Sequence, residues 1–148
     1  LIYDIFDFTM HGSIPYPLTR FVVNLATDVS EKERFLNSVI IALSKDESLA
    51  VSTCMAQALV LRSQVFLNHE TNNNDIMDRF GSARADAIRA AVLDPYHPTV
   101  WRILATIEEE REDHAAAIQA LSKWATYQPL FSTKVQNEIS RLRDSTSR

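Results

Sequence analysis

The sequence predicts an all-α protein, and three observations carry the prediction. Apolar residues recur at helical spacing in six separate segments. Only two glycines occur in 148 residues, which suits helices joined by short turns better than a meander of tight hairpins. Pro95 and Pro129 lie thirty-four residues apart and each closes an apolar stretch, where the missing amide donor and the restraint on the preceding residue end a helix. With 46% hydrophobic residues, the chain can bury one core of ordinary domain size.

Residues 1–29 differ in kind from the rest. Tyr3, Phe6, Phe8, Tyr16 and Phe21 crowd aromatic side chains into a stretch broken by Gly12, Pro15 and Pro17, so no continuous helix fits. An extended arm is expected. Aromatic groups gain much by burial, so these five are its expected contacts, made in the groove of its own repeats or on a larger assembly. Pro17 through Thr27 has room for one short helix with Phe21, Val22 and Leu25 facing inward.

A helical domain is expected over 30–148. Ser30 followed by Glu33 reads as a capping box, and Phe35, Val39, Ile40 and Leu43 then share one face of a helix over 30–45. The next helix, 48–68, carries a broad face of Val51, Met55, Ala58, Leu59, Arg62, Val65 and Phe66. Three consecutive asparagines make 69–75 a polar loop. The third helix, 76–93, has a thin face of Ala83, Ala87, Ala90 and Ala91, and Gly81 loosens its first turns.

Helices over 99–112 and 114–127 form the clearest pair. Small Ala105 and Ala117 let the two approach closely, while Trp101 and Leu104 fill space toward the neighbouring pair. Pro98 stands near the first helix's start, where its missing donor costs little. The last helix, 132–143, has the stripe Val135, Ile139, Leu142. Lys134, Glu138, Arg141 and Arg143 give it the polar outer face that an end helix needs, and Asp144 to Arg148 should fray.

Counted from Pro98, Trp101 falls at position 4, Leu104 and Ala105 at 7 and 8, Ala117 at 20, Leu121 at 24 and Pro129 at 32; Ala83 and Ala90 take positions 20 and 27 of a preceding unit. This spacing resembles the tetratricopeptide repeat. The resemblance is specific from Ala83 to Pro129 and looser over about 48–143. It departs from the family at Glu108, where a tyrosine-like residue is usual, and at Trp124, where alanine is usual. The resemblance implies antiparallel helix pairs stacked as a short right-handed α-solenoid. It also implies a concave, partner-binding face lined by Thr99, Arg102, Thr106 and Glu109, then Thr133, Gln136, Ser140 and Arg143 of the last helix. Ile103 stands where the subgroup that grips chaperone C-terminal carboxylates has asparagine, which speaks against tail capture.

A formal charge of −4 and a pI near 5.5 leave no general attraction for phosphate backbones, so no nucleic-acid partner is expected. No apolar run reaches the eighteen or so residues of a membrane span, although a partner can bring the chain to a membrane surface. Lone Cys54 sits among Val51, Met55 and Ala58 and reads as core packing, compatible with a cytosolic or organellar interior. Leu1 in place of an initiator methionine is compatible with a processed chain or an excised domain.

His11, His69, His97 and His114 lie in four different segments without ligand spacing, so no metal is expected. The run Glu108, Glu109, Glu110, Glu112, Asp113 reads as a solvated helix end. It opposes the helix dipole unless a basic partner, Arg111 or the arginines of the last helix offset it. No phosphate loop, nucleophile elbow or acid–base pair is visible, so neither catalysis nor a cofactor is expected. The expected function is a protein-interaction scaffold or accessory subunit of a larger assembly; the alternative is a transient peptide-binding or assembly-factor module.

Overall fold

A computed structural model describes residues 23, 24, 26, 28–45, 49–68 and 76–146, and all regular structure among them is helical. The expected arm residues Tyr3, Phe6, Phe8, Tyr16 and Phe21 lie outside the described residues. Among the described residues, six α-helices with both ends described follow in order: α1 (Val29–Leu43), α2 (Leu49–Asn68), α3 (Ile76–Leu93), α4 (Val100–Glu110), α5 (His114–Tyr127) and α6 (Ser132–Thr146). Each packs chiefly against the next in sequence, and α2 also touches α4.

α1 begins one residue before the expected start, and its cap is Asp28, not Ser30. The Asp28 carboxylate accepts the Ser30 amide at 3.2 Å from an extended backbone, leaving Ser30 inside the first turn. Phe35, Leu36, Val39, Ile40 and Leu43 then lie buried on one side. α2 has no single apolar stripe: Met55, Ala56, Ala58, Leu59, Val60, Leu61 and Val65 are all buried, around most of its circumference. A helix apolar on all sides must be covered on all sides, and α1, α3 and α4 do so here.

The thin face of α3 has the consequence its alanines predict. Ala83, Ala87 and Ala90 are fully buried, and the buried Ser63 hydroxyl donates to the Ala83 carbonyl at 2.9 Å, a bond that requires the α2 and α3 backbones to lie close. Beside this contact the Arg62 guanidinium donates to both oxygens of buried Asp86, at 2.6 and 2.7 Å, and to Asn37 at 2.7 Å. One polar cluster thereby ties α1, α2 and α3 together.

Trp101 bridges elements. Its indole Nε1 donates to the Pro95 carbonyl at 2.7 Å, and its ring stacks on Tyr127 at 5.7 Å between centroids. Tyr127 meets Tyr96 edge-on at 5.0 Å, and Gln128 donates to the Tyr96 carbonyl at 3.0 Å, so the turns after α3 and α5 are joined.

α4 stops at Glu110, short of the expected Glu112, because Glu112 adopts a left-handed φ of 60°. The Glu112 amide donates to Glu109 and the Asp113 amide to Glu108, both at 2.9 Å, which is a Schellman closure of the helix. Asp113 then caps α5 by accepting the Ala116 amide at 3.0 Å. A 3-10 turn, Pro129–Phe131, leads into α6, whose core side is Val135, Ile139 and Leu142. α6 continues to Thr146, past the expected end at Arg143. Leu142 is the last buried residue of α6, and Arg143, Asp144 and Ser145 beyond it are exposed though still helical. Among the described residues, no helix is long and apolar enough to cross a membrane.

Candidate functional site

The outward sides of α4 and α6 enclose a cleft of about 220 Å³. Its floor is apolar, made by Ala105 of α4 and Leu121 and Trp124 of α5, with the Trp124 ring stacked on Phe131 at 5.3 Å. The walls are polar: Arg102, Thr106 and Glu109 from α4 face Lys134 and Glu138 from α6.

Charge inside the cleft is unevenly matched. Arg141 donates to Glu109 at 2.8 Å and to Glu138 at 2.9 Å, so one guanidinium serves both carboxylates. Those hydrogen bonds, with Glu109 contributing most, hold the Arg141 pKa above its ordinary value. Arg102 and Lys134 have no carboxylate partner among the described residues. With Arg141 counted against Glu109 and Glu138, the cleft carries one net positive charge over an apolar floor, a combination that suits an extended segment with one apolar side chain pointing in and an acidic group beside it.

Of the eight expected concave-face residues, Arg102, Thr106 and Glu109 line this cleft, and Thr99 precedes α4 as its N-cap residue. Thr133, Gln136, Ser140 and Arg143 are exposed on α6 but do not line it. At 100° per residue they occupy one flank of the buried stripe, while Lys134, Glu138 and Arg141 occupy the other. The polar set expected on the outer face of the end helix thus points toward α4, with Arg143 alone of that set on the opposite flank. Sequence reasoning missed Lys134 and Glu138 as cleft residues. Their i,i+4 spacing was visible, but nothing local says which flank of α6 turns inward.

The acidic run is only in part the solvated helix end that was expected. Glu108 is only 4% exposed, and its carboxylate accepts from Arg84 of α3 and, at 2.7 Å, from Arg111. Glu109 pairs with Arg141, while Glu110, Glu112 and Asp113 are exposed, Asp113 as the cap of α5. Both intramolecular offsets foreseen for the run are present: Arg111 and an arginine of the last helix.

His97 is buried in the turn before α4, with Nδ1 3.3 Å from the Thr99 amide that donates to it. Burial lowers its pKa from the ordinary 6.5, against a smaller upward pull from Asp94. Cys54 is half-buried against the core. Among the described residues, no three His, Cys, Asp or Glu side chains are grouped to hold a metal ion. No protein-family model and no curated protein matches the sequence.

Proposed function

We propose that this chain is a non-catalytic protein-interaction scaffold or accessory subunit, built as a short right-handed solenoid of antiparallel, tetratricopeptide-like helix pairs. Its concave side holds an extended segment of a protein partner in the α4–α6 cleft. The observation that carries this reading is the meeting of Arg102, Thr106 and Glu109 with Lys134 and Glu138 over the floor of Ala105, Leu121 and Trp124. Packing of each helix on the next, with α2 reaching α4, supports the stacked arrangement.

The test is affinity isolation of the tagged full chain from its native source under gentle conditions, beside the double variant Arg102→Ala/Lys134→Ala. Both side chains lie at the cleft wall, so the variant should stay within about 0.5 kcal/mol of the parent in stability. Stoichiometric partner should fall at least tenfold. Undiminished partner recovery by a folded variant would sink the cleft as the docking site. A parent chain recovered only as a free monomer would favour the transient peptide-binding module.

A further inference from the structure

The side of α3 turned away from its buried alanines carries a stripe of its own. Gly81, Ala85, Ile88 and Val92 follow one another at offsets of four, three and four, so they share about 60° of arc. All four are exposed, Ile88 at 39% and Val92 at 78%. The space beside Gly81 is open, since a methyl group there would meet no atom within 4 Å. Residues at this spacing form the seam along which one helix packs on another. α3 packs on α2 and α4 with its other sides, where Ala83, Asp86, Ala87 and Ala90 are buried.

Cations border the stripe on both edges. Arg84 stands beside Ala85 on one edge and Arg89 beside Ile88 on the other, the two places that meet charged side chains of a packed helix. On the first edge Arg111 of the α4–α5 turn joins Arg84 around an open cleft of about 550 Å³. Glu108 engages Arg84 and Arg111 together, which leaves one positive charge there. Arg89 has no carboxylate partner among the described residues, which leaves another.

These arginines disfavour a second copy of the chain on this face. In a parallel pair of α3 helices, Arg84 of one copy would face Arg89 of the other, like charge against like. In an antiparallel pair neither copy would offer an acid, because the bordering positions are Ser82, Arg84, Arg89 and Ala91.

We infer that this face of α3 docks an acidic amphipathic helix of a partner protein, apolar along one stripe with Asp or Glu on both of its edges. Small Gly81 and Ala85 let the incoming helix approach closely at one end, and Ile88 and Val92 fit between its side chains at the other. From Gly81 to Val92 the stripe runs on the order of 16 Å, which engages about three turns. The α4–α6 cleft shares none of its lining residues with this face, so the two can be occupied independently.

The experiment follows the fluorescence anisotropy of a labelled synthetic helix of three heptads, with leucine at a and d and glutamate at e and g, titrated with the full chain. A version with lysine at e and g is the control, and p-benzoylphenylalanine at a central d position maps the contact by photo-crosslinking. The glutamate helix should bind at least tenfold more tightly than the lysine helix and crosslink within 81–92 of α3. Arg89→Glu, at an exposed position, should weaken the glutamate helix at least tenfold and strengthen the lysine helix. Val92→Gln should weaken both, with helicity unchanged in each variant. Arg102→Ala/Lys134→Ala should leave the affinity as it was, which separates this face from the α4–α6 cleft. Equal affinity for the two helices, indifference to Arg89→Glu, or crosslinks to α4 or α6 would overturn the inference. Two further results would also overturn it. A parent chain that sediments as a dimer until Val92 is replaced would assign the face to a second copy, and one that ignores both helices but binds phosphatidylserine vesicles through Arg89 and Val92 would assign it to a membrane.

Discussion

Among the described residues other than glycine, Glu112 alone has a positive φ, a left-handed 60° at the end of α4. The Schellman closure needs that conformation, yet an L side chain there is strained by about 1 kcal/mol, and the negative charge also opposes the dipole of α4. Glu112→Gly should therefore raise the unfolding free energy by about 0.5–1 kcal/mol, despite the extra freedom it gives the unfolded chain. Urea titration should show a higher midpoint at unchanged slope. At His97 the sign runs the other way with acid. Its folded pKa lies below the ordinary 6.5, so as pH falls through 6.5 the unfolded chain takes up a proton that the folded chain refuses. This contribution to stability is complete above about pH 6.5 and is lost progressively as pH falls toward the folded pKa. Titrations at pH 7.5 and 5.5 should show that decline in the parent and a shallower one in His97→Asn. Neither feature was legible in the sequence, where Glu112 was one acid in a run and His97 one of four scattered histidines. A left-handed residue and a buried imidazole are set by the turn that the flanking helices force.

At the scale of elements, polar pairs fix which helix faces which. Arg62 on α2 reaches Asp86 on α3 and Asn37 on α1, and Arg84 on α3 reaches Glu108 on α4. Asp86 keeps only 8% of its side chain exposed, so removing its cation leaves a buried carboxylate short of donors. Arg62→Ala should therefore cost about 2–4 kcal/mol, and a double-mutant cycle with Asp86→Ala should return a coupling of about 1–3 kcal/mol. A coupling under about 0.5 kcal/mol would mean that the pair only fills space. The helices themselves were legible: the stripes of Phe35, Val39, Ile40 and Leu43, of the α3 alanines, and of Val135, Ile139 and Leu142 are buried as their spacing predicts. What the spacing left open was the orientation of polar flanks. Lys134 and Glu138 face the cleft on the flank from which Arg141 meets Glu109 on α4, a contact across thirty-two residues that no local pattern encodes. Glu108 likewise is buried because Arg84 of α3 donates to it, a partner twenty-four residues away that no local pattern encodes.

Across the whole molecule, nearly all packing joins helices adjacent in the chain, so little loop closure is needed before contacts form. The α4 half of the proposed docking face was legible from the repeat spacing, because Arg102, Thr106 and Glu109 sit on one side of a helix whose opposite side is core. The α6 half was not, since the buried stripe of α6 has a polar flank on either side and its spacing does not say which one turns toward α4. The breadth of apolar surface on α2 bears on how the protein is made. A chain growing from its N-terminus exposes Met55 through Val65 as it leaves the ribosome, and α1 can cover only one side of them. Until α3 has emerged with its alanine face, the nascent polypeptide carries a sticky rod. Synthesis that halts between α2 and α3 would thus release a product prone to aggregate, whereas a halt after α4 would release one already sheathed.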